Sequence, residues 1–142
     1  MDWLDFKMTV GFVTAVISGA VGAVLGGFDV FLKALVVIVV LDYVSGFLTA
    51  YVQKKLSSSI GYRGVAKKVF IFVLVGTAYT VGNLMGTDLL RQVVIGFYIG
   101  IEGLSICENA CKAGLPVPRV LKNALEEIQK RGEVSKGKGG IK

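Results

Sequence analysis

The sequence predicts an all-α integral membrane protein: four transmembrane helices followed by a short C-terminal cytoplasmic amphipathic helix. Three observations predict it. Hydrophobic residues make up 54% of the 142, 19 glycines stand beside them, and 18% are charged, so polar side chains are too few to cover a soluble surface. The apolar residues gather in four runs close to the roughly 20 residues that cross about 30 Å of hydrocarbon. Lys and Arg gather on one side of those runs, as they do at cytoplasmic membrane ends. A mean hydropathy of +0.68 points the same way and argues against a soluble enzyme, a disordered chain or a disulfide scaffold. The chain has no histidine, which excludes histidine triads and histidine-based metal sites.

The first run, Met8 to Phe28, carries no charge. Its small residues recur at helical spacing: Gly11, Ala15, Gly19, Ala23 and Gly27 on one ridge, with Gly22 and Gly26 beside them. Such a face lets helix backbones approach, which is the main source of helix association in lipid. A cleaved signal peptide is the other reading of this run and would leave three spans. The segment Met1–Lys7, with two acids and one lysine, is a poor signal start. Met8 could also serve as a second start.

The second run, Val30 to Val52, is interrupted by Lys33 and, near its middle, by Asp42. The third, Val69 to Thr87, has no charge, and the fourth, Gln92 to Cys111, carries Glu102 near its centre. An ionised acid at a helix centre costs about 2.5–3.5 kcal/mol on insertion scales. Asp42 and Glu102 are therefore expected to face protein or water. They read either as pore-lining or oligomer-switch residues or as helix-to-helix hydrogen bonds, and neither has a cationic partner evident within the runs. A lone acid on each of two helices is no catalytic set.

Between the second and third runs lies a basic linker with Lys54, Lys55, Arg63, Lys67 and Lys68, read as a cytoplasmic anchor. With four spans, every Lys and Arg except Lys33 and Arg91 falls on the same side. The positive-inside tendency then places both termini in the cytoplasm. Residues 1–115 form the membrane domain. Pro116 and Pro118 stop the fourth helix, and 116–131 reads as an amphipathic helix through Leu121, Leu125 and Ile128. It is expected to rest on the inner membrane surface or on a neighbouring copy. Residues 132–142 read as a basic disordered tail suited to anionic headgroups rather than nucleic acid. Cys107 and Cys111 read as packing residues, since two cysteines make no zinc site alone.

Three motifs then resemble a known family. They are Leu41-Asp42-Tyr43-Val44-Ser45-Gly46; Lys55-Leu56-Ser57-Ser58-Ser59 with Gly61, Gly64 and Lys67-Lys68; and Glu102 through Asn109 with Gly114, Pro116-Val117-Pro118 and Leu121. Together, from about Val30 to Arg131, they are similar to the toxin-secretion and phage-lysis holins of Gram-positive bacteria and their phages. The resemblance implies a non-enzymatic protein without cofactor. It would form homo-oligomers among the lipids of the host cytoplasmic membrane and open timed lesions. An endolysin or a toxin would be its functional partner without direct contact, and an antiholin could regulate it. The alternative is a small four-span transporter or ion channel of the multidrug type. Such transporters carry their essential acid in the first span, which here has none.

Overall fold

A computed structural model describes residues 2–56 and 58–133, with backbone alone at 58–60. It contains α1 (Trp3–Leu25), α2 (Val30–Val52), α3 (Ser58–Met85), α4 (Leu89–Lys112) and α5 (Arg119–Glu133), and no strand among the described residues. The first four are long and apolar enough to cross a membrane. Residues 134–142, most of the expected basic tail, lie outside the described residues.

Glycine ends the spans where the chain must reverse. Gly26 and Gly27 both adopt left-handed φ, 84° and 93°, and both donate to the Gly22 carbonyl. They therefore lie beyond α1 as its terminating turn, not on the helix face where the sequence spacing puts them. Asp29 then caps α2, its Oδ1 accepting from the Leu32 amide at 2.9 Å. Gly86, at φ 70°, closes α3, and Thr87 N–H returns to Gly82 O at 3.0 Å. These two short turns make one end of the bundle, called here the hairpin end. The opposite end carries the N-terminus and the α4–α5 turn and is called the terminal end.

The second linker is shorter than its composition predicts. α3 begins about three turns before Val69, so Arg63, Lys67 and Lys68 stand on a helix. Basic residues are good helix formers, and nothing in 58–68 breaks a helix as proline would.

α4 is the hub: α2, α3 and α5 all pack on it, while α1 leans mainly on α3. A core of Leu25, Leu32, Leu35, Val39, Ile71, Val75 and Ile95 fills the hairpin half. Val24 and Leu25 meet Gly76 of α3, whereas Gly11 and Gly19 have no neighbour within 4 Å. The small-residue face of α1 is thus open over its first turns, and only Gly22 and Leu25 are buried. Exposed Phe12 and Phe70 belong to the lipid-facing surface that the composition demands.

α5 folds back antiparallel along α4 instead of continuing away from it. Gly114, at φ 87°, turns the chain, and Pro116 and Pro118 keep it from extending α4. Leu125 then sits on Gly103, Gln129 on Gly100, and Gly132 against Phe97. A methyl group at Gly100 would lie 2.7 Å from Cβ of Gln129 and 2.8 Å from its backbone nitrogen. Gly100→Val should therefore lift α5 from α4 at a cost of about 1–3 kcal/mol. Limited trypsin digestion of the detergent-solubilised protein would show faster cleavage at Lys130 and Arg131. Unchanged cleavage would contradict the packing.

Candidate functional site

At mid-depth, three helices bring one cation and two acids together. α2 presents Asp42, Ser45 and Thr49 on one face, at spacings of three and four. α4 presents Glu102 and Asn109 toward it, and α3 supplies Lys68. Lys68 Nζ donates to Asp42 Oδ2 and to Glu102 Oε2. Both acids are almost fully buried, at 8% and 7% exposure. About 15 Å of helix separates each acid from the last residue of its own helix at the terminal end. With all three groups ionised, the triad retains one uncompensated negative charge.

A polar ladder continues from the triad toward the terminal end. Asn109 Nδ2 donates to Ser45 Oγ at 2.9 Å. Thr49 Oγ1 donates to Ser45 O at 2.8 Å and to Asn109 O at 3.1 Å. Ser45 Oγ in turn donates to Asp42 O at 3.0 Å. Hydroxyls that return to their own helix and also meet the next one stitch α2 to α4 without leaving polar atoms in lipid.

The sequence reading found no cation for these acids because it left Lys68 in the linker. The longer α3 redirects it: Lys68 is a partner inside the bundle, while Lys54, Lys55, Arg63 and Lys67 stay exposed near the terminal end. Asp42 and Glu102, for which the sequence offered no cationic partner, share Lys68. The triad floors a cleft of about 940 Å³ between α2, α3 and α4, walled by Tyr43, Phe47, Tyr62, Val65 and Ile101. Gly61 and Gly64 widen it, since their nearest neighbour is the Tyr43 side chain at 3.8 and 3.9 Å. Among the described residues no group of His, Cys, Asp and Glu could hold a metal ion. Cys107 is buried and Cys111 exposed, both as free thiols.

A second charged site ties the hairpin end together, and sequence reasoning missed it. Arg91 of α4 is 1% exposed. Its Nε donates to Leu25 O at 2.6 Å, Nη1 to Asp29 Oδ2 at 2.6 Å, and Nη2 to Gly27 O at 3.0 Å and Asp29 Oδ1 at 3.2 Å. The planar guanidinium thus binds a helix C-terminus and the next helix's cap in one fork. The available signal was a lone acid in one short turn and a lone arginine beside the other, on the same side.

The hydrogen bonds from Arg91 hold the Asp29 carboxyl below its ordinary value of 3.8. A depressed acid stabilises the fold above the unfolded value, and that contribution is lost as pH falls through the folded one. Thermal stability in detergent should therefore be insensitive to this pair from pH 7 down to about 4 and fall below it. Asp29→Asn should flatten that acid limb. A limb of the same slope in the variant would count against the assignment.

The chain matches the model of the bacteriophage holin family over residues 19–130. It is 42% identical over 109 residues to an uncharacterized protein of Listeria innocua, covering 75% of this chain and 78% of that one. An uncharacterized protein of Clostridium perfringens is 37% identical over 110 residues, 76% of this chain and 83% of the other. A protein described as a probable holin, from Bacillus phage phi105, is 31% identical over 100 residues, 70% and 74% of the two chains. No solved structure matches.

Proposed function

Because the chain belongs to the bacteriophage holin family, we propose that it accumulates in the host cytoplasmic membrane, self-associates, and opens timed lesions that release an endolysin or a toxin. The observation that carries this reading is the family match, which takes in α2 to α4 entire and most of α5. Both termini lie in the cytoplasm, a placement supported by exposed Lys54, Lys55, Arg63 and Lys67 near the terminal end. The open ridge of α1 around Gly11, Ala15, Gly19 and Ala23 supports self-association, because nothing within the monomer fills it at Gly11 and Gly19.

In this reading the Lys68 triad holds the resting form. Its burial locks α2, α3 and α4 in one arrangement, and rearrangement into a lesion exchanges those ion pairs for water. Asp42→Asn and Glu102→Gln should each move the lysis time at equal expression. Unchanged timing in both would remove the acids from the switch. The endolysin or toxin passes through without docking, and a product begun at Met1 rather than Met8 would supply an antiholin.

Induced expression in bacteria, with and without an unrelated endolysin, tests the function itself. Abrupt lysis that requires the endolysin, and that an uncoupler advances, is the expected result. Gradual drug tolerance without lysis would sink it in favour of a small transporter.

A further inference from the structure

α5 carries its charges to a depth where lipid cannot meet them. The hairpin end sets the scale, because both of its turns and the buried Arg91 define that edge of the bundle. From Leu89, about 20 residues of α4 cross the hydrocarbon and reach Glu108, so the bilayer centre falls near Tyr98. The pairings Leu125 on Gly103, Gln129 on Gly100 and Gly132 on Phe97 place the last turn of α5 at that centre.

The face of α5 turned away from α4 is charged over this whole depth. Lys122, Glu127, Lys130 and Arg131 are exposed, and Arg131 Nη2 pairs with Glu127 Oε1 at 2.6 Å with both side chains at least 66% exposed. One such charge at mid-bilayer costs about 2.5–3.5 kcal/mol against lipid tails. Several on one stripe, on a helix held to α4 by apolar contacts at Leu125 and Ile128, need water in front of them.

The pattern of charge says what encloses that water. Copies inserted in one membrane share an orientation, so their α5 helices run parallel and set equal residues at equal depth. Lys130 and Arg131 of neighbouring copies would repel in dry contact. They are accommodated around a hydrated space. Along the helix the sign alternates by turn: Lys122, then Glu126 and Glu127, then Lys130 and Arg131.

We infer that α5 docked on α4 forms the wall of an aqueous lumen between copies of this chain, presenting basic, acidic and basic bands from the terminal end inward. This rests on the lesion-forming reading and assigns its lining to α5. Lumen charge of this kind selects ions by sign.

The test uses the full chain in planar bilayers of phosphatidylethanolamine and phosphatidylglycerol. Cys107→Ser/Cys111→Ser is the parent, and Glu127→Cys, Lys130→Cys and Leu125→Cys are added one at a time. Cationic and anionic membrane-impermeant methanethiosulfonates are the probes. At positions 127 and 130 the two probes should move the cation-to-anion permeability ratio in opposite directions, by about two-fold or more. Position 125, buried against Gly103, should not respond. Conducting lesions with 127 and 130 inert, or no more reactive than 125, overturn the inference and leave the lesion reading standing. A parent that forms no conducting lesions overturns both.

Discussion

Lys68→Met is expected to deplete the folded protein from the membrane. The substitution keeps the length of the side chain and removes the one cation that Asp42 and Glu102 share. Two nearly buried carboxylates then face each other at mid-depth. Breaking a buried ion pair by removing one partner costs about 3–5 kcal/mol. The adjoining cleft admits some water, which places the loss toward the lower figure. Against a fold stable by about 5–15 kcal/mol this is a large fraction of the total. The measurement is steady-state level in the membrane fraction together with thermal unfolding in detergent. Adding Asp42→Asn and Glu102→Gln to Lys68→Met removes the buried charge altogether and should recover most of both. A Lys68→Met protein as stable as the parent chain, or no recovery in the triple variant, would contradict the triad.

Arg91→Met should be comparably severe, at the other end of the molecule. Arg91 reaches three groups at once, and its loss strands Leu25 O, Gly27 O and one side of Asp29. A stranded buried carbonyl costs about 1–3 kcal/mol, and the loss at Asp29, whose side chain is 41% exposed, is smaller. Leu25 O and Gly27 O end one hairpin and Arg91 begins the far side of the next, so the damage spreads to both turns. Arg91→Lys should rescue little, since one ammonium cannot reproduce the fork. Disulfide trapping between cysteines placed at Phe28 and Leu90 would report the result: efficient in the parent chain and slow in Arg91→Met. Equal trapping in both would mean the turns are held by something else.

The spans were legible because lipid imposes a simple requirement, length and apolarity, which Met8–Phe28 and Val69–Thr87 meet without a single charge. Their ends were less so. Lys67 and Lys68 look like linker to any measure of hydropathy, yet only the second turns inward, because its position on α3 faces the α2–α4 seam. That distinction is angular, and composition carries no angle. Asp42 and Glu102 could be singled out by cost alone, whereas their shared partner needed the start of α3. Arg91 was counted as one of two charges on the sparse side, and its burial follows from the closeness of two turns that are distant in sequence. The α4 glycines were visible as small residues at Gly96 and Gly100, but what fills the groove, α5, depends on the reversal at Gly114.

The two charged sites sit at different heights, and the difference gives the bundle a mechanical direction. Arg91 bolts the hairpin end with four hydrogen bonds, while the other half is parted by a cleft over the Lys68 triad. A rod assembly pinned at one end and slotted at the other moves as a pair of tongs. The pivot would lie at the turns and the jaws at the terminal end, with the Lys68 contacts as a catch between them. In the proposed opening, release of that catch would swing α2 and α3 apart farthest at the terminal end. Force for opening would then be most effective at the terminal end, with a pull on the hairpins absorbed by the pivot.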